Sequence, residues 1–165
     1  MSAERPVSIG AIFRQKAEDA FEFVAPPLKE YRVRVEQAKR NLDIAYSQLG
    51  GETGKDVNEE QIRAVLNAEL GILRTSFLPT FAFQFGFVDK RFLEAALSFN
   101  TLHGLDNASL FMSTKYDYWK NIAHKLKVAE SDPGIVNEAE RRTIACDNAQ
   151  HLLDEMSQRL LNNPT

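Results

Sequence analysis

The residues best suited to bind a metal ion lie near the end of the chain. Asp147, His151 and Glu155 are spaced by four residues, so a helix would place all three on one face. Carboxylates and histidines on facing helices form metal sites in helical bundles. Such a site needs ligands from another helix, for example Glu69, whereas a solvated face would let Glu155 pair with Arg159. We favour the solvated face and predict no bound metal or cofactor.

Other chemically active groups are few. The single cysteine, Cys146, excludes an internal disulfide and a multi-cysteine metal site, and we interpret it as a small buried side chain. The glycine-rich run 50–55 lacks the spacing of a phosphate-binding loop and follows a predicted helix. The sequence also lacks the common metalloprotease, nucleophile-elbow and EF-hand motifs. We therefore identify no catalytic residue and favour a protein that is not an enzyme.

Phenylalanine is concentrated in one part of the chain. Seven of the 11 phenylalanines lie within 77–99, and four of them alternate with other residues: Phe81, Phe83, Phe85 and Phe87. Alternation is typical of a strand, but a lone strand cannot satisfy its backbone, so we favour a buried helical turn or an extended connector. The segment is either buried on both sides or leaves Phe83 and Phe87 for a protein partner, a second copy or an apolar ligand.

A second aromatic group lies between 116 and 119. The apolar stripe of its helix predicts that Trp119 is buried. Tyr116 and Tyr118 are suited to anchoring an interface or stacking on a ligand, although tyrosines at helix boundaries also pack with the hydroxyl in water. We take Phe83, Phe87, Tyr116 and Tyr118 as the candidate partner-binding or ligand-binding residues.

Helical periodicity predicts the elements that must position these residues. Apolar residues recur at spacings of three and four in six segments, at about 9–24, 28–49, 58–78, 90–103, 106–130 and 135–161. The second segment has a strict heptad seam of Leu28, Tyr31, Val35, Ala38, Leu42, Ala45 and Leu49.

Capping residues predict where several helices begin and end. Asn58 and Gln61 form a capping-box pattern at the start of the third segment. Gly104 is expected to end the fourth segment, with His103 in its last turn, and Asp106 or Asn107 to cap the fifth. Four lysines make the fifth segment basic: Lys115, Lys120, Lys125 and Lys127.

The composition fits one globular domain. Of 165 residues, 44% are hydrophobic and 26% are charged, and the formal net charge is −3. That balance does not predict binding to nucleic acid. The start of the chain lacks the apolar region of a secretion signal, and the apolar stretch 75–88 is too short to span a bilayer. We therefore predict a cytoplasmic protein with no membrane span.

These patterns predict an all-α protein with a single domain over 1–165. The expected architecture is an antiparallel helical bundle of four long helices plus one or two flanking short helices. The function we favour is a protein–protein interaction module, either an adaptor, a regulator or a self-associating bundle, with an aromatic-rich contact segment at 77–99. The alternative is a bundle that binds a small ligand or a metal, possibly an enzyme, in a pocket lined by phenylalanine and tyrosine.

Overall fold

The computed structural model of the protein describes residues 29–75 and 90–163, and within these ranges all regular structure is helical. The helices are α1 (Lys29–Gln48), α2 (Glu59–Thr75), α3 (Lys90–Ala96), α4 (Leu102–Val128) and α5 (Pro133–Asn162). The all-α prediction is confirmed. The predicted helix at 9–24 and the alternating segment 80–88, with Phe83 and Phe87, lie outside the described residues.

The heptad seam of α1 packs inside the molecule. Its described members are all buried: Val35, Ala38, Leu42, Ala45 and Leu49. They lie against α2 in the same hydrophobic core, so the seam joins helices of a single chain. The heptad spacing therefore predicted the buried face of α1 correctly over these five positions.

The connection from α1 to α2 is a tight glycine-rich loop. Gly50, Gly51 and Gly54 have positive φ angles of 74°, 62° and 72°, a region in which a side chain is strained. The predicted capping box then begins α2: the Gln61 amide donates to Asn58 Oδ1 at 2.9 Å, and the Asn58 amide donates to Gln61 Oε1 at 3.1 Å.

The boundary between α3 and α4 differs from the prediction. α3 ends at Ala96, and Thr101 caps α4 by accepting a hydrogen bond from the Gly104 amide at 3.0 Å. His103 and Gly104 thus lie in the first turn of α4, and the predicted caps at Asp106 or Asn107 are wrong. A Cβ on Gly104 would lie 1.7 Å from the Ser98 carbonyl oxygen. This glycine permits a close backbone approach and does not end a helix.

α4 and α5 run in opposite directions along most of their lengths. Near one end, the Ser109 hydroxyl donates to Asp154 Oδ1 at 2.7 Å. Near the other end, Lys127 pairs with Glu140. The short connection ends at Asp132, whose side chain caps α5 at the Gly134 amide at 2.7 Å, with Pro133 as the first helical residue.

The remaining contacts connect the α1–α2 pair with the α4–α5 pair. α2 packs against α3, α3 against α4, and α1 makes a smaller contact with α5. Across residues 29–75 and 90–163, none of the helices has both the length and the apolar character needed to cross a bilayer.

Candidate functional site

Charged residues occupy buried positions on several of the described helices, and two of them, Lys115 and Glu69, are almost completely enclosed. On α4, the buried residues Ala108, Met112, Trp119 and Ile122 leave a gap at 115, which Lys115 fills. Lys115 is only 1% exposed, and Glu69 on α2 is fully buried. A lysine or a glutamate is almost never fully buried unless it is paired, so these two residues define the first candidate site.

The two charges meet between three helices. Lys115 Nζ lies 3.1 Å from Glu69 Oε1, and the Tyr46 hydroxyl of α1 donates to the same oxygen at 2.5 Å. Both donors therefore share one carboxylate oxygen. Within the described part of the chain, no hydrogen-bond donor reaches the other oxygen, Glu69 Oε2, although it is buried. We call Tyr46, Glu69 and Lys115 the buried polar centre.

Aromatic rings surround the ammonium group of Lys115. Its Nζ lies 4.9 Å from the ring centroid of Tyr118 and 5.6 Å from that of Phe111. The ring faces attract a cation, so they provide a favourable interaction that does not depend on the charge of Glu69. Trp119 packs edge-on against Tyr46 and Tyr118, with centroids at 5.2 and 5.4 Å.

Burial dominates the electrostatics of the centre. It raises the pKa of Glu69 to about 7, although Lys115 and Tyr46 act in the opposite direction. Burial, followed by the charge of Glu69, raises the pKa of Tyr46 well above its usual value. The carboxyl group can therefore exchange a proton near neutral pH, whereas the Tyr46 hydroxyl remains a hydrogen-bond donor.

A second charged group joins α5 to α1. Arg142, which is buried, lies 3.0 Å from Asp43 Oδ1 and donates to the Ser47 hydroxyl at 2.6 Å and to Glu138 Oε1 at 3.1 Å. Its guanidinium carbon also lies 4.8 Å from the Trp119 ring. This contact connects the second group with the aromatic surroundings of the buried polar centre.

Arg141 extends this group to the end of α1. Its guanidinium donates to the carbonyl oxygens of Ser47 at 2.6 Å, Leu49 at 2.9 Å and Gly51 at 2.5 Å, and to Glu138 Oε1 at 2.6 Å. These carbonyls belong to the last turn of α1 and the following loop, where a helix has no further N–H groups to bind them. We call Arg141, Arg142 and Glu138 the arginine clamp.

In the arginine clamp the pKa of Glu138 is lowered, although burial alone would raise it. Partial burial opposes the charge of Glu138, but the hydrogen bonds and positive charges of Arg141 and Arg142 outweigh it and lower the pKa. The loop is also held by Asn148, whose Nδ2 donates to the Gly54 carbonyl oxygen at 3.0 Å.

Cys146 is inaccessible, as its interpretation as a buried side chain predicts. Burial raises the pKa of the thiol to about 12, so the thiol stays protonated near neutral pH. A thiolate nucleophile is therefore not formed at this position.

The predicted tyrosines lie in different surroundings. Tyr116 is half-buried, with Lys120 Nζ 5.6 Å from its ring centroid. Tyr118 is also half-buried, but its hydroxyl oxygen faces the interior and its ring contacts Trp119. The predicted tyrosine that packs on Trp119 is therefore Tyr118. Their role in binding stays a prediction.

The possible metal ligands of α5 face solvent. His151 is 70% exposed, with Nδ1 2.8 Å from the Asp147 carbonyl oxygen, and Glu155 lies 3.9 Å from Arg159. Over 29–75 and 90–163, no three histidine, cysteine or acidic side chains are grouped as metal ligands. Glu69, the suggested ligand from another helix, is instead paired with Lys115. These observations agree with the solvated-face interpretation.

From the sequence, Lys115 was assigned to a basic segment and Arg142 was not singled out, because the buried stripes were traced through apolar residues only. Both residues occupy spacings at which the stripes require a buried residue. The signal was a charged residue at a core position, which requires a partner. No family model, curated protein or solved structure matches this chain.

Proposed function

We propose that the protein is a protein–protein interaction module built on an antiparallel bundle of four long helices. The observation that best supports this function is the outer face of α1. Val33 and Ile44 are 65% and 53% exposed, and they are 11 residues apart, which is about three helical turns. They therefore share one face, on the side of α1 opposite the buried seam.

A helix that is apolar on two opposite sides is typical of one packed between two partners. The seam is buried against the core of this chain, so the core is one of the two partners. The outer face alternates its apolar residues with polar ones, because Gln37 and Arg40 lie between Val33 and Ile44. Such a mixture suits a non-obligate protein interface.

The aromatic contact segment proposed at 77–99 has two described phenylalanines. Phe99 is buried, with the Arg63 guanidinium 4.6 Å from its ring, and Phe92 is half-buried against the core. Both side chains therefore contribute to the hydrophobic core. We retain Phe83, Phe87, Tyr116 and Tyr118 as proposed contact residues. We also propose that the module is cytoplasmic and that it binds either a protein partner or a second copy of itself.

The experiment compares two variants. Val33→Glu with Ile44→Glu charges the outer face of α1, whereas Val128→Glu charges a residue that is 70% exposed at the end of α4. We expect light scattering and affinity capture from native lysate to show that the α1 variant loses a partner or a second copy. The Val128→Glu variant should retain both. Equal capture and equal mass for wild type and both variants would refute the proposed interface.

A further inference from the structure

The two carboxyl oxygens of Glu69, in the buried polar centre, differ in the hydrogen bonds that they accept. Glu69 is fully buried, its Oε1 accepts two hydrogen bonds, and within residues 29–75 and 90–163 its Oε2 has no donor. Removing a carboxylate from water costs free energy unless hydrogen bonds replace those of water on both oxygens. Burial and the missing donor at Oε2 therefore both penalise the charged form of the carboxyl group.

The surroundings of Glu69 can tolerate either protonation state. When the carboxyl is neutral, the Lys115 ammonium still lies against the ring faces of Tyr118 and Phe111. When it is charged, Lys115 and Tyr46 stabilise one of its oxygens. The same residues thus surround the carboxyl group in both states, but in the charged state one of its two buried oxygens has no donor among the described residues.

Charged and titratable groups lie near Glu69 on the helices packed around it. Those nearest the centre are Tyr46 on α1, Lys115 and Tyr118 on α4, and Arg142 and Cys146 on α5. α3 also packs against α2, but its Glu94 is exposed and lies 3.8 Å from Arg74 and 3.9 Å from Lys90. Arg142 is engaged by Asp43 and Glu138, so its charge is largely balanced within the clamp.

We propose that Glu69 is a proton-responsive joint between α1, α2 and α4, in which loss of the proton weakens the packing of these helices. The joint acts through Tyr46, which links α1 to the carboxyl group and packs its ring on Trp119. This inference does not rest on the proposed interaction function.

The direction of the effect follows from proton linkage. Burial raises the pKa of Glu69 to about 7 in the folded protein, from 4.5 for an unperturbed glutamate. The folded state therefore holds the proton at pH values at which the unfolded state has lost it. The resulting stabilisation is fully present below the unfolded pKa and is lost as the pH rises through the folded pKa.

The test compares wild type with Glu69→Gln, which keeps the shape of the side chain and cannot titrate. Chemical unfolding is measured at about pH 5.5 and about pH 8.5, on either side of the folded pKa. We expect the folding equilibrium constant of wild type to fall on the order of tenfold more than that of Glu69→Gln. Glu94→Gln, which alters an exposed pair, should keep the wild-type dependence. Equal pH dependence in wild type and Glu69→Gln would refute the proposal.

A second measurement does not require Glu69→Gln to fold. Trp119 is the single tryptophan, so its fluorescence reports on the contacts of Tyr46 and Tyr118. We expect the wild-type signal to titrate near pH 7. Tyr46→Phe removes a hydrogen bond to the charged carboxylate and should move the midpoint upward. A flat signal in wild type, or a midpoint that falls or stays unchanged in Tyr46→Phe, would overturn the assignment.

Discussion

The buried polar centre and the arginine clamp each place a glutamate against basic side chains, but they perturb the pKa of that glutamate in opposite directions. Burial acts on both Glu69 and Glu138, yet the pKa of Glu69 is raised and that of Glu138 is lowered. Glu69 is fully buried and accepts two hydrogen bonds on one oxygen. Glu138 is 34% exposed and accepts from two guanidinium groups on both of its oxygens.

Two differences separate these acids: Glu69 is buried more completely than Glu138, and donors reach both oxygens of Glu138 but only one oxygen of Glu69. A guanidinium presents several N–H groups in a fixed plane, so Arg141 can bind both oxygens of Glu138 at 3.0 and 2.6 Å. The Lys115 ammonium is a compact charge and approaches only one oxygen of Glu69. The clamp is therefore an ionic connection at neutral pH, whereas the proposed titration of the centre lies near neutrality.

The largest expected effect comes from removing the cation of the centre. Lys115→Met would leave Glu69 buried with Tyr46 as its remaining hydrogen-bond donor at this site, which should cost about 3–5 kcal/mol of unfolding free energy at pH 8. Urea unfolding measures the loss. The double variant Lys115→Met with Glu69→Leu removes both charges and should recover most of it. A double variant as unstable as Lys115→Met alone would show that packing, and not charge, dominates the centre.

Disrupting the clamp should have a smaller effect. Arg141→Gln would withdraw donors from the carbonyls of Ser47, Leu49 and Gly51, at a cost of about 2–3 kcal/mol. Arg159→Gln is the matched control on the same helix, because its exposed pair with Glu155 should contribute less than about 0.5 kcal/mol. Thermal unfolding of the two variants at neutral pH provides the measurement, and equal losses would contradict a role for the clamp.

The loop beneath the clamp permits a comparison between two glycines. A Cβ on Gly54 would lie 2.4 Å from the Arg141 carbonyl oxygen, whereas nothing lies within 4 Å of a Cβ on Gly51. Both residues have positive φ, so Gly51→Ala should cost about 1 kcal/mol through backbone strain alone. Gly54→Ala should cost about 1–2 kcal/mol more, because the loop must also move away from α5. Equal unfolding midpoints would argue against close packing of the loop.

The smallest expected effect concerns the acid of the clamp. Because the folded pKa of Glu138 is lowered, its stabilisation is present above the unfolded pKa and is lost as the pH falls through the folded pKa. Glu138→Gln should therefore flatten the acid side of the stability profile, by less than about 1 kcal/mol, since a third of the side chain is in water. A Glu138→Gln profile as steep as that of wild type between about pH 5 and about pH 3 would contradict this direction.

The strongest periodic signals predicted the fold well. The heptad seam, the capping box of α2 and the burial of Trp119 are all confirmed, because each depends on residues close together in the chain. The boundary at Gly104 was wrong for a physical reason. A glycine that ends a helix and a glycine that allows close backbone approach look the same in a sequence, and only the position of Ser98 separates them.

The charged sites were harder to predict than the helices. Lys115 on α4 and Arg142 on α5 lie at positions of the buried helix faces, but a search for apolar residues does not identify them. Their partners are also distant in the chain: Glu69 lies on α2 and Asp43 on α1. A buried charge indicates that a partner exists, but tertiary packing decides which residue becomes that partner.

The burial of Lys115 has a consequence for covalent labelling of the intact protein. Lys120, Lys125 and Lys127 on the same helix are exposed, so an amine-reactive reagent reaches them directly. Lys115 can be acylated only in molecules whose interior has transiently opened. The rate of acylation of Lys115 relative to those three lysines can be measured by mass spectrometry. This relative rate therefore reports how often the helices open, and it requires no attached fluorophore or spin label.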